Sequence, residues 1–68
     1  MLFAMPSYEV KYHGNKEWEA ISETKVLAKL QETYDRVTPA IQDMIDGKQV
    51  LTPQAAFRIR GYAEVEIG

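Results

Sequence analysis

Arg58, Arg60 and Tyr62 stand two residues apart in the C-terminal third of the chain. On a β-strand, residues at that spacing lie on one face about 7 Å apart, so two guanidinium groups would sit beside a phenol ring. Such a face can clamp a carboxylate or stack a nucleobase, which makes the three candidate binding residues. On a helix, residues two apart point about 200° away from each other, and the cluster dissolves. The patch therefore requires a strand. Glu64 and Glu66 continue the same parity, and mixed charges on a solvated strand also serve cross-strand pairing and edge protection. Solvation is the plainer account.

The remaining reactive side chains do not assemble into a catalytic set. His13 is the single histidine and lies beside Gly14 in an expected turn, where no packed neighbour would orient it as a base. Asp43 and Asp46, like Glu32 and Asp35, are spaced i, i+3, but calcium takes about six to eight oxygens and two carboxylates on a solvated helix face supply too few. With no cysteine and one histidine, a structural zinc site lacks its usual ligands. Glu32 and Arg36 would form at most an exposed helical pair worth about 0.3–0.5 kcal/mol. Gly14, Gly47, Gly61 and Gly68 are scattered and build no phosphate cradle. The reading is non-enzymatic, with no catalytic, metal or cofactor residues. Trp18, Tyr12 and Tyr34 are expected in the core, since aromatics at element spacing bury about 150–250 Å² each.

Those candidates need elements to position them. Tyr8, Val10 and Tyr12 alternate with Glu9 and Lys11, and after His13-Gly14-Asn15-Lys16 the alternation resumes at Trp18 and Ala20, which predicts a β-hairpin. At Ser22 the period changes. Val26, Leu27, Leu30, Tyr34 and Val37 recur at three and four, predicting a helix capped by Ser22 and stapled by Ile21 onto Val26. Thr38-Pro39 ends it, because the residue before proline avoids the α region, and starts a second helix bearing Ile41, Met44 and Ile45. Gly47 closes that helix as a left-handed C′ residue.

Beyond Gly47 two readings compete. Phe57, Ile59, Gly61, Ala63, Val65 and Ile67 share one parity and Arg58, Arg60, Tyr62, Glu64 and Glu66 the other, as in a strand with one buried face. Thr52-Pro53 also reads as an N-cap and first-turn pair, allowing a short helix to about residue 60. The strand reading is preferred, and it raises a problem of length. Eleven strand residues span about 37 Å, whereas a fourteen-residue helix spans about 21 Å. Either the strand is shorter, or it bends at Gly61, or another chain covers the excess.

The expected fold is a single α+β domain over residues 1–68: a small antiparallel sheet, built from the N-terminal hairpin and a C-terminal strand, with two helices packed on one face in ββααβ order. With 68 residues, 46% apolar and 26% charged, the chain is globular in composition but short. Domains of this size gain only about 3–5 kcal/mol from their core unless something else helps. Disulfides and zinc being absent, self-association or a protein partner is the remaining aid, and a homodimer or an adaptor or inhibitor of a partner protein is expected. A small nucleic-acid-binding regulator is the alternative, through the Arg58/Arg60/Tyr62 face or a helix-turn-helix at residues 39–46 and 53–60. Net charge of −2 and a pI near 5.2 work against it. Met1 to Met5 lack the basic region and apolar length of a secretion signal, and no run approaches the roughly 20 apolar residues of a membrane span. A cytoplasmic protein without a membrane role is expected.

Overall fold

The computed structural model describes residues 2–66. The alternation at Tyr8 belongs to a strand that begins well before it, β1 (Leu2–Tyr12). The chain reverses through a turn in which the Asn15 N–H donates to the Tyr12 carbonyl at 3.0 Å and Gly14 takes a φ of +89°, as the third residue of a type II turn requires. It then runs on to β2 (Glu19–Ile21), which pairs antiparallel with Tyr8–Val10 alone. The expected hairpin is present, with a wider loop than His13–Lys16.

Helix α1 (Glu23–Thr33) starts where Ser22 predicts: its hydroxyl accepts from the Lys25 N–H at 3.3 Å. It ends earlier than the apolar period suggests. Tyr34 is extended rather than helical, its N–H still donating to Leu30, while its hydroxyl donates to the Leu51 carbonyl at 2.6 Å. Arg36 consequently leaves the helix, and the Glu32–Arg36 pair does not form; among the described residues the ion pair is Glu9–Arg58. Val37 packs on the core from the connecting turn as the N-cap of α2 (Thr38–Ile45), with Pro39 in its first turn. α2 closes at Gly47, φ +88°: the Gly47 N–H donates to Met44 and the Lys48 N–H to Asp43, the two bonds of a Schellman motif. Ala40 and Met44 carry its buried face. Ile45, expected inside, is 50% exposed because Met44 already occupies that turn's inward position.

Residues 53–60 form no helix. After a two-residue strand, β3 (Val50–Leu51), Thr52 makes a tight turn: its N–H and hydroxyl both donate to the Ala55 carbonyl, at 2.8 and 3.0 Å, and its oxygen accepts from the Ala55 N–H at 3.1 Å. These bonds satisfy the buried Thr52 and launch β4 (Ala55–Glu66). The fold is α+β with its elements in ββααβ order, to which β3 adds a short strand, and the antiparallel sheet runs β2-β1-β4-β3. Both helices lie on one face. The core gathers Tyr8, Val10, Ala55, Phe57 and Val50 from the sheet with Val26, Leu30, Ala40 and Met44 from the helices. Every buried sheet residue thus falls in the half of the sheet the helices cover.

The register of β1 against β4 contains the decisive irregularity. Leu2 to Ser7 pair with Glu66 to Gly61, but the next residue, Tyr8, pairs with Ile59. Arg60 is the extra residue of a β-bulge. Such a residue resets which side chains point to which face, so the parity of β4 reverses there. Phe57 and Ile59 point to the helices together with Tyr62, Glu64 and Glu66, whereas Arg58 shares the opposite face with Gly61, Ala63 and Val65. The expectation of one unbroken apolar face from Phe57 onward is corrected by that bulge; Ile67 lies outside the described residues.

Candidate interaction surface

Of the three candidate residues, the bulge leaves no two in the arrangement a common binding face needs. Arg58 points away from the helices, Arg60 is the exposed bulge residue, and Tyr62 stands on the helix side of the sheet, 55% exposed. Arg58 is already engaged. Its Nε donates to the Glu9 carboxylate at 3.1 Å, and its guanidinium lies 3.9 Å from the centre of the Trp18 ring. A cation stacked on an indole and paired to a carboxylate is neutralised locally. Trp18, expected in the core, is therefore drawn onto the outer sheet face by this stack, and Tyr34, 36% exposed, is drawn to the surface by its bond to Leu51. Tyr12 packs at the core margin, and Lys29 lies over its ring at 5.5 Å.

His13 stays an exposed loop residue whose backbone N–H donates to Gln54 at 3.0 Å, with Nε2 at 3.4 Å from the Thr52 carbonyl. These contacts tie the first loop to the β3–β4 turn. Among the described residues no group of three or more His, Asp or Glu converges on a point, and no buried side-chain nitrogen or oxygen lacks a partner. Tyr8 is the titratable group whose surroundings move it: burial foremost, then the charge of Glu23 and the neighbouring Tyr62, raise its phenol above the usual tyrosine value. No helix of the described residues is long and apolar enough to cross a membrane.

What stands out is the sheet face turned away from the helices. β1 presents Phe3, Met5, Ser7, Glu9 and Lys11 there, paired with Val65, Ala63, Gly61, Arg58 and Ala56 of β4. Leu51, opposite Ala56 in β3, adds a side chain that is 64% exposed. No family model, curated protein or solved structure matches this chain. The surface has therefore to be read from its own chemistry. Beyond the Glu9–Arg58 pair toward the chain termini, the described residues of this face, Phe3, Met5, Ser7, Gly61, Ala63 and Val65, carry no charge, and Phe3 and Met5 are 37% and 39% exposed.

This stretch is also where the fold projects. Leu2–Ser7 and Gly61–Glu66 form a two-stranded ribbon about 20 Å long, beyond the residues that pair with β2 and β3. No residue in it is buried. The molecule is correspondingly elongated, 39 × 28 × 19 Å with a radius of gyration of 12.5 Å, against about 11 Å for a compact domain of this length. Sequence reasoning identified the excess strand but not the face. The missed signal was Gly61 next to an arginine, a residue pair that accommodates a bulge without marking one.

Proposed function

We propose that this chain is a non-enzymatic protein-interaction module that works as a homodimer, with the outer sheet face and its ribbon as the contact surface. The observation that carries the reading is area. The accessible surface is 5099 Å², whereas a compact monomer of 7.8 kDa exposes about 4,400 Å². The excess, about 700 Å², goes with the projecting ribbon, whose outer face exposes Phe3 and Met5. An uncovered apolar sheet face on a chain with so small a core supports association.

The nucleic-acid reading loses its support. Its helix-turn-helix has no second helix at residues 53–60, and its basic face is divided by the bulge and neutralised at Arg58. Light scattering across a concentration series tests the proposal: the mass should rise from 7.8 kDa to twice that value. A mass held at the single-chain value up to millimolar concentration refutes it.

A further inference from the structure

The way two copies fit is written in the outer face itself. Resting on the homodimer reading, we infer that a second copy packs face to face across a two-fold axis running parallel to the ribbon, so that β1 of each copy lies over β4 of the other. Three features select this arrangement over the alternatives. The first is bulk. On the outer face of the ribbon the larger side chain of each cross-strand pair belongs to β1 and the smaller to β4: Phe3 beside Val65, Met5 beside Ala63, Ser7 beside Gly61. An axis parallel to the strands sets Met5 over Ala63 of the second copy, large into small, as close-packed sheets require. An axis across the strands sets β1 over β1, large on large, and leaves a void between the two β4 stripes.

The second feature is charge. Glu9 and Arg58 are direct cross-strand partners already paired with one another, so exchanging β1 for β4 across the interface sets one neutral pair opposite another and creates no like-charge contact. The same exchange brings β2 of one sheet over β3 of the other, where Leu51 stands exposed.

The third feature is that the alternative, edge-to-edge pairing, is obstructed on both open edges of the ribbon. Pro6 in β1 has no N–H to offer a neighbouring strand, and the bulge at Arg60 interrupts the edge of β4. Neither edge of the ribbon therefore competes with face-to-face packing.

The chain contains no cysteine, so single substitutions report the geometry cleanly. Ala20, opposite Glu9 in β2, and Leu51, opposite Ala56 in β3, share the outer face on its two flanks, so the arrangement sets Ala20 about 12 Å from Leu51 of the second copy but each residue about 17 Å from its own counterpart. Ala20→Cys and Leu51→Cys chains are prepared separately, mixed, and treated with a bifunctional thiol reagent of about 12 Å reach, and circular dichroism confirms that each variant folds. The arrangement predicts covalent dimers in the mixture at several times the yield of either chain alone. A dimer by light scattering whose mixture cross-links no better than either chain alone overturns the arrangement while leaving the homodimer standing. A single-chain mass at every concentration removes both.

Discussion

Deleting Arg60 should be tolerated, although it lies inside the longest strand of the sheet. It is the residue of β4 without a register partner, falling between Ile59 opposite Tyr8 and Gly61 opposite Ser7, so its removal joins two correctly facing segments into a regular ladder. Phe57 and Ile59 stay toward the helices, and Ala63 and Val65 stay outward. The chain loses an exposed side chain and one residue's ordering cost of about 1–2 kcal/mol, offset by the relaxation of the local bend; the net change in stability should stay within about 1 kcal/mol. Deleting Arg58 is the contrast. The register then survives only by turning Phe57, fully buried, outward, or by putting Arg60 in the place of Ile59 beside Tyr8. The cheaper choice removes an isoleucine from the core margin and breaks the Glu9–Arg58–Trp18 cluster, costing about 2–5 kcal/mol. A core of this size supplies only about that much. Urea titration followed through the single Trp18 and by far-ultraviolet dichroism reads both variants. If the Arg60 deletion unfolds as readily as the Arg58 deletion, residue 60 is in phase with its neighbours, and the assignment of faces fails with it.

Three smaller predictions follow from local contacts. Tyr8→Phe should flatten the alkaline limb of the stability curve. The folded state holds this phenol above its usual value, so the unfolded chain loses the proton first; the Tyr8 contribution is complete below pH about 10 and is lost above it in the native chain only, as urea midpoints between pH 8 and 11 would reveal. Gly47→Ala should cost about 1–2 kcal/mol, because φ is +88° there and a Cβ is strained in the left-handed region even with open space around it; an unchanged melting temperature would contradict the Schellman end of α2. Ser22→Ala removes the bond to the Lys25 N–H and should destabilise by about 1 kcal/mol, measured by thermal unfolding.

The features legible in the sequence were those whose cause is local. Ser22 caps α1 because its hydroxyl reaches a free N–H within one turn, Pro39 opens α2 because it needs no donor there, and Gly47 ends it because φ is positive. Alternation marked the hairpin for the same reason. What escaped was set at a distance. Leu2–Ser7 has neither alternation nor charge to mark it and becomes a strand only because β4 lies alongside it. The end of α1 depends on Tyr34 finding the Leu51 carbonyl, seventeen residues away. The bulge is the clearest case: parity counted along β4 runs evenly from Phe57 to Glu66, and only the pairing with β1 reveals that one residue is extra. The candidate residues Arg58, Arg60 and Tyr62 were placed correctly on a strand and wrongly on one face for that single reason.

Sedimentation equilibrium on the native chain, Ala63→Glu and Glu64→Gln tests the account most directly, since residues 63 and 64 are adjacent in sequence and point to opposite faces of the ribbon. The native chain and Glu64→Gln should approach twice 7.8 kDa together as concentration rises, while Ala63→Glu, with a carboxylate set against the second copy, needs at least about thirtyfold more protein to do so. Equal association of all three, or a native chain that never leaves its single-chain mass, contradicts the outer face as the place where this protein meets its partner.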